Sequence, residues 1–285
     1  MTPLRQRMID DMQLRHMSPR TIRTYIDHIA KFAQYFGISP ARLGPAEIRR
    51  YQLYLIHEKA ASWSAYNQCV CALRFLYGIT LKQGVEISDI PFPRQERKLP
   101  VILSPAEVLQ FLDAITSLKY RAILMTAYAA GLRLSEVTGL HVSDIDSRRM
   151  VIRIRQGKGH RDRYVMLSPA LLQILRLYWQ AARPTAWLFP SRKPGQPISS
   201  TAVQRACRQA ARAAGLTKHV TVRTLRHCFA THLLEAGANI RVIQTLLGHH
   251  SVHTTERYTH VSTESVCATP SPLDLLALPA AQDLF

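Results

Sequence analysis

The chain of 285 residues contains 37 lysines and arginines against 19 aspartates and glutamates, a net charge of +18, and 47% of its residues are hydrophobic. The length suggests two domains. No apolar run approaches the roughly 18 residues of a membrane-spanning helix. The N-terminus has no signal-peptide core, so we expect a cytoplasmic protein with no membrane partner. The charge excess favours a nucleic-acid partner over an anionic membrane surface or a ribosomal association.

Residues 1–90 predict a helical domain, because apolar residues recur there at helical spacing. Ser18, followed by a proline, is typical of a helix start, and Gly37 ends that helix. Pro45 opens a second helix and Ser62 precedes a third. The polar faces carry arginines that either face water or contact the DNA backbone. These candidate DNA-binding residues are Arg20, Arg23, Arg49, Arg50 and Arg74.

A linker is predicted over residues 91–103, where three prolines flank a run of charges. A capping box at Ser104 and Glu107 then opens a second domain, residues 104–262. The remaining residues, 263–285, form a tail with a short apolar segment. That segment either docks on a neighbouring subunit or folds back on its own domain.

The second domain mixes helices with a small antiparallel β-sheet, so the predicted fold class is mainly α with an α+β second domain. An apolar helix is predicted over residues 120–132. Residues 150–155 alternate and are β-branched, which predicts a strand. Residues 163–167 return as a second strand, and the Gly-Lys-Gly turn at Lys158 joins the two.

Four segments of this domain carry residues suited to phosphodiester exchange without a metal. A planar guanidinium meets two phosphate oxygens at once. A tyrosine phenol can form a covalent phosphoester, and nearby cations favour its phenolate. A lysine on a hairpin can protonate the leaving 5′ oxygen. The segments are Ala130–Glu136, the hairpin with Lys158, Thr224–Glu235 and Leu246–His260.

Each of these residues also has an ordinary structural interpretation. Arg133 alone reads as a helix-end arginine paired with Glu136. Lys158 in a glycine turn is typically a solvated loop lysine, and a lone Tyr258 is typically a half-buried core residue.

A metal site is a further interpretation, because His249 and His253 lie at i, i+4 spacing. No glutamate accompanies them in a His-Glu-x-x-His arrangement, which counts against zinc. The five cysteines show neither zinc-ribbon nor disulfide spacing and predict reduced thiols. We expect no metal and no other cofactor.

The order of the four segments resembles the tyrosine recombinase family, which includes phage-integrase-like and Xer-like enzymes. The motifs are Gly131-Leu-Arg-x-Ser-Glu136, the Gly-Lys-Gly hairpin, Leu-Arg-His-x-Phe-Ala-Thr-His232, and Leu-Gly-His249 followed by Thr-Thr-x-x-Tyr-Thr-His260. The resemblance covers nearly the whole chain. It implies a SAM-like core-binding domain and a catalytic domain that form a C-shaped clamp around double-stranded DNA, with a tetramer assembled on two specific recombination sites.

The resemblance also implies a role for each residue in cleaving and rejoining DNA through a 3′-phosphotyrosine, without ATP. Arg133 and Arg226 clamp the phosphate, and Lys158 is the general acid. His249 hydrogen-bonds the phosphate, and Tyr258 is the nucleophile. Glu136 is an accessory acid that orients the arginines.

The sequence departs from the family pattern at Arg223, where the family usually has a histidine that accepts a proton from the tyrosine. An arginine has no acceptor for that proton. His219 lies four residues earlier, before the predicted helix, and is a poor replacement. Arg223 is therefore a third cation at the phosphate, a backbone contact in a slower enzyme, or the mark of an inactive DNA-binding protein.

Two rival functions follow from these features, a type IB topoisomerase and a non-catalytic DNA-binding regulator. The helical N-terminal domain counts against the topoisomerase. Without a large additional N-terminal arm-binding domain, the chain is closer to Xer-like or mobile-element enzymes than to phage integrases with such a domain.

Overall fold

The computed structural model describes residues 2–82, 90–92, 99–155 and 162–248. Within these ranges the chain divides into an N-terminal unit, residues 1–97, and a C-terminal unit, residues 98–285. The division falls inside the predicted linker. Lys158, His249 and Tyr258 lie outside the described residues, as do residues 93–98 of the linker and the whole tail. No helix within the described ranges is both long and apolar enough to cross a membrane.

The N-terminal unit is helical, as predicted. Ser18 accepts a hydrogen bond from the backbone of Thr21 at the start of the second helix, and Gly37 ends it with φ of 70°. The rings of Phe32 and Tyr51 pack edge to face in the core, with their centroids 5.1 Å apart. The α-helices are α1 (Pro3–Gln13), α2 (Pro19–Phe36), α3 (Pro45–His57) and α4 (Trp63–Phe75), with a 3-10 turn at Pro40–Arg42 and a π-helical turn at Leu76–Leu81.

The C-terminal unit begins with the predicted capping box. Ser104 Oγ accepts from the backbone of Glu107 (3.2 Å), and Glu107 Oε2 accepts from the backbone of Ser104 (2.7 Å). Seven helices follow in the described residues: α5 (Pro105–Asp113), α6 (Leu118–Ala129), α7 (Leu134–Thr138), α8 (Pro169–Ala182), α9 (Ser200–Ala213), α10 (Val222–Glu235) and α11 (Ile240–Leu247).

Helix α6 differs from its predicted bounds: it begins earlier, at Leu118, and ends at Ala129. The chain turns at Gly131, whose φ is 59°. A Cβ there would lie 2.4 Å from Cδ1 of Phe229 on α10, so glycine is needed for space as well as for conformation. This contact could not be foreseen from local sequence.

The sheet has three antiparallel strands in the order β1 (Ile145–Asp146), β2 (Val151–Ile154) and β3 (Arg163–Met166). Strand β1 was not predicted, because a strand of two residues is too short to show an alternation of apolar and polar side chains. Strand β2 begins at Val151 because Met150 has φ of 55°. Ile152 pairs with Val165, and both face the core.

Helix α10 lies in the core of the C-terminal unit and packs against both α6 and α11. Its residues from Leu225 to Thr231 are all buried. Phe229 and Ala230 contact Ile243 and Leu247 in a small apolar cluster. This packing fixes the end of α11 next to α10.

Candidate active site

Glu136 lies at the centre of the candidate site, with its side chain only 6% exposed. Oε1 accepts from Nη1 of Arg133 (2.7 Å) and Nη1 of Arg163 (2.9 Å). Oε2 accepts from Nη2 of Arg163 (2.9 Å) and lies 3.6 Å from Nη1 of Arg226. We call these four residues the Glu136 cluster. Three guanidinium groups around one carboxylate leave an excess of positive charge, which suits a phosphate diester.

The start of α7 explains how Arg133 and Glu136 meet. Arg133 is the extended N-cap residue, and its backbone N–H donates to Oε2 of Glu136 at 2.8 Å, a capping interaction. The side chains of Arg133 and Glu136 also form an ion pair, which agrees with the interpretation of Arg133 as a helix-end arginine paired with Glu136. The structure adds that the pair is not isolated, because two further arginines reach the same carboxylate.

The pKa of Glu136 reflects two opposing effects. Burial raises it, but the hydrogen bonds and charge of Arg163, with the backbone N–H and charge of Arg133, outweigh burial and lower the pKa to about 2. The carboxylate is therefore ionised at neutral pH. It offsets part of the mutual repulsion of the arginines.

Arg226 is buried on α10, with 6% of its side chain exposed. Nη1 donates to the carbonyl of Gly131 at 2.7 Å, and Nη2 donates to the carbonyl of Leu247 at 2.6 Å. Thr221 caps the start of α10, and its Oγ1 accepts from the backbone of Thr224. The guanidinium of Arg226 thus joins the turn after α6 to the end of α11.

Arg223 lies on the same helix as Arg226 but is exposed. Its Nε donates to Nε2 of His227 at 3.3 Å, so that ring nitrogen acts as an acceptor. Among the described residues, Arg223 is not one of the arginines that contact Glu136. His219 lies before α10, as predicted, and its carbonyl accepts from Thr224.

The N-terminal arginines fall into two groups. Arg20, Arg23, Arg49 and Arg50 are exposed on α2 and α3. Arg74 instead donates to the carbonyl of Ile90 at 3.2 Å, and its guanidinium carbon lies 4.2 Å from the ring centroid of Phe92. Arg74 therefore holds the start of the linker against α4.

Sequence reasoning missed Arg163, although a signal for it exists. Arg163 pairs with Ile154 across the sheet and shares the inward face of β3 with Val165, and its side chain is 10% exposed. An arginine at an inward position of a strand needs a buried partner. That rule, applied to β3, predicts a buried partner for Arg163 but does not identify it.

A second cluster was also missed. Asp144, with 1% of its side chain exposed, accepts from Nε of Arg155 (2.6 Å), Nε of Arg153 (3.3 Å) and the backbone of His141 (2.9 Å). We call Asp144, Arg153 and Arg155 the Asp144 cluster. Arg153 lies on the outer face of β2, where it pairs with Tyr164, and Arg155 directly follows the strand. This basic face borders the strand ends that lead toward Lys158 in the sequence.

The chain matches known proteins over almost its whole length. Residues 102–265 match the phage integrase family, and residues 4–87 match the N-terminal SAM-like domain of phage integrases. A putative integrase/recombinase of Sinorhizobium fredii is 51% identical over 281 residues, covering 98% of this chain and 91% of the relative. Tyrosine recombinase XerD of Staphylococcus saprophyticus is 31% identical over 270 residues, covering 88% of this chain and 90% of the relative. The chain therefore belongs to the phage integrase family of tyrosine recombinases.

The fold agrees with this assignment. The structure of XerH site-specific recombinase has a TM-score of 0.73 at 23% identity, covering 90% of this chain and 80% of that one. The predicted fold class, a mainly helical protein with a small antiparallel sheet, is confirmed. The predicted activity is likewise that of the family: site-specific DNA recombination through a phosphotyrosine intermediate. Family membership favours a recombinase over a type IB topoisomerase.

Proposed function

We propose that Arg133 and Arg226 are the two arginines that clamp the scissile phosphate. The observation that supports this role is their meeting at one buried carboxylate, Glu136, from segments far apart in the sequence. A cluster of buried positive charge is costly to assemble unless it serves an anion. Two preorganised guanidinium groups stabilise the charge that develops on the phosphate oxygens in the transition state.

We assign the remaining steps from the family motifs to residues outside the described ranges. The phenol of Tyr258 loses its proton to water or a DNA phosphate and attacks the phosphorus, so a Tyr Oη–P bond forms while the P–O5′ bond breaks. Lys158 gives its proton to the leaving 5′ oxygen. His249 donates a hydrogen bond to the phosphate. The phosphotyrosine keeps the phosphodiester linkage for rejoining, so the reaction needs no ATP.

Arg223 is proposed as a third cation at the phosphate that lowers the pKa of the tyrosine phenol through its charge. Its place on α10, one turn before Arg226, supports this role. The bond from its Nε to His227 limits where the guanidinium can lie. Replacing Arg223 with histidine tests the role: a loss of cleavage supports an adapted arginine, and a large gain would show that the arginine is a defect.

The proposed substrate is double-stranded DNA with specific recombination sites, bound by four copies of the chain in the cytoplasm. The structural neighbour XerH is bound to a palindromic difH substrate, and the net charge of +18 suits such a partner. Arg20, Arg23, Arg49 and Arg50 are exposed and are proposed to contact backbone phosphates. A truncation at Ser265 tests docking of the tail: assembly on DNA that survives it would count against docking in trans.

The decisive experiment traps a covalent protein–DNA adduct on a nicked suicide substrate. The wild-type chain should form the adduct and Tyr258→Phe should not, because phenylalanine has no nucleophilic oxygen. A non-catalytic DNA-binding regulator would bind the substrate without an adduct. An adduct that persists in Tyr258→Phe would overturn the assignment of the nucleophile. Sequencing the trapped DNA would identify the recombination site.

A further inference from the structure

Arg163 is a buried arginine that the family motifs quoted above leave without a role. Its side chain is 10% exposed, against 27% for Arg133. A guanidinium on the core face of a strand loses much of its hydration, which other interactions must offset. The hydrogen bonds that Arg163 makes must offset this lost hydration, and they indicate what the residue does in the site.

All three nitrogens of this guanidinium make hydrogen bonds. Nη1 and Nη2 bind the two oxygens of Glu136 side by side, both at 2.9 Å, which is the bidentate geometry that fixes orientation most strongly. Nε donates to the carbonyl of Leu246 at 2.8 Å. Arg163 thus joins β3 to α7 and to the last turn of α11.

The carbonyls at the end of α11 accept hydrogen bonds from all three arginines of the Glu136 cluster. Helix ends leave carbonyls without partners inside the helix, and cations there are favourable. Three consecutive carbonyls each accept from a different arginine: Leu246 from Arg163 (2.8 Å), Leu247 from Arg226 (2.6 Å) and Gly248 from Arg133 (3.4 Å). One carboxylate and one helix end therefore orient all three guanidinium groups.

Gly248 shows how closely Arg163 packs against this helix end. Its φ is 61°, and a Cβ at this position would lie 3.3 Å from both Cδ and Nη1 of Arg163. Both the left-handed backbone and the approach of Arg163 favour glycine there. The chain continues from Gly248 directly into His249 in the sequence.

We propose that Arg163 is a positioning residue for strand transfer, which acts through Glu136 and the carbonyl of Leu246 to hold Arg133, Arg226 and the end of α11 in one arrangement. Arg163 is less exposed than Arg133, and its guanidinium is occupied by both oxygens of Glu136 and by the carbonyl of Leu246, so it acts on the phosphate through its neighbours. This role rests on the proposed function of Arg133 and Arg226.

The test compares Arg163→Met with Arg121→Met in single-turnover cleavage of the suicide substrate at saturating protein. Arg121 forms an ion pair with Asp113, and both partners are more exposed than Arg163 and Glu136. Arg163→Met should cleave about 10- to 100-fold more slowly, because small misplacements of reacting groups cost that much, while its affinity for DNA stays unchanged. Arg121→Met should match the wild type in both measurements. A purely structural role would lower binding and cleavage together, because unfolded protein does neither.

Three further variants sharpen the test. Added methylguanidinium should restore cleavage to Arg163→Ala by filling the space beside Glu136, whereas Arg163→Lys should remain slow because an ammonium cannot bind both oxygens side by side. The double variant Arg163→Met, Glu136→Gln should be no slower than the slower of its single variants, since the two residues act as a unit.

The outcomes separate this role from the proposed function. Cleavage by Arg163→Met at the wild-type rate, or a parallel loss of binding and cleavage, would overturn the positioning role. A wild-type chain that binds the substrate without any adduct would overturn the proposed function itself.

Discussion

The C-terminal unit contains two clusters in which a buried carboxylate holds arginines, and they differ in what surrounds the arginines. In the Glu136 cluster, Arg163 and Arg226 are nearly as buried as the carboxylate. In the Asp144 cluster, the side chains of Arg153 and Arg155 are 39% and 40% exposed although Asp144 is 1% exposed. A carboxylate with arginines thus forms a fixed, desolvated cation site in the Glu136 cluster. In the Asp144 cluster, the same chemical groups form a solvated basic surface.

The difference comes from the faces of one sheet. Arg163 lies on the inward face of β3, whereas Arg153 lies on the outer face of β2, so alternation along the strands sends these two arginines to opposite environments. Arg155 directly follows β2 and is exposed. The inward arginine also finds the carbonyls at the end of α11. Desolvated charges interact strongly and reorganise little, which suits catalysis. Exposed charges suit salt-dependent contact with a DNA backbone.

The largest expected effect is on stability, from Glu136→Gln. Breaking a buried ion pair leaves uncompensated charge and costs about 3–5 kcal/mol. Urea unfolding followed by tryptophan fluorescence in a Trp63→Phe background measures this, since the two other tryptophans, Trp179 and Trp187, lie in the C-terminal unit. Glu107→Gln is the matched control, because Glu107 also caps a helix but is 27% exposed. Equal losses for the two variants would contradict the contrast between buried and exposed carboxylates.

Acid should lower the free energy of unfolding of the protein, because it protonates the same carboxylate, Glu136. The pKa of Glu136 in the folded state is about 2, below its ordinary value of 4.5. Its stabilising contribution is therefore complete above about pH 4.5 and is lost as the pH falls from there toward 2, a change of about 3 kcal/mol. The difference in unfolding free energy between wild type and Glu136→Gln should shrink over this interval. Parallel curves for the two proteins would show that Glu136 titrates normally.

The next effect is on chemistry, from Arg226→Lys. A lysine keeps the charge but cannot bond the carbonyls of Gly131 and Leu247 and the phosphate with a planar fork. Cleavage of the suicide substrate should fall about 100-fold or more. Arg176→Lys, at an exposed position of α8, serves as the control. Wild-type cleavage by Arg226→Lys would show that the geometry of the buried guanidinium is unimportant.

The smallest effect should come from Asp144→Asn. The half-exposed Arg153 and Arg155 can be solvated when they lose their carboxylate, and an amide oxygen can still accept from the backbone of His141. We expect a DNA affinity within about fivefold of wild type, with an altered salt dependence, measured by fluorescence anisotropy across a salt series. A loss as large as that of Glu136→Gln in unfolding free energy would erase the distinction between the two clusters.

Local signals in the sequence predicted the helical elements well. The start of α2 follows from Ser18 and its end from Gly37, because capping depends only on neighbouring residues. The capping box at Ser104 was confirmed for the same reason. The predicted helix end near Gly131 lies two residues beyond the observed end at Ala129, and the close approach of Phe229 to Gly131 depends on a segment distant in the sequence.

The candidate site was predictable in part. Motif order pointed to Arg133, Glu136 and Arg226, and the structure places these three together. It did not point to Arg163, whose partners lie on α7 and α11. Such a partnership depends on how distant segments pack. The strand alternation that buries Arg163 is visible in the sequence, but the carboxylate that receives it is not.

The hydrogen bonds at the end of α11 have a consequence for sequence variation. The three arginines bind main-chain carbonyls, which every residue type supplies. Natural or engineered changes at Leu246 and Leu247 should therefore preserve these bonds whenever the new side chains pack equally well. Gly248 is the exception, because its left-handed backbone and its close contact with Arg163 both favour glycine. Sequence variation at this helix end is therefore expected to be most restricted at its final glycine.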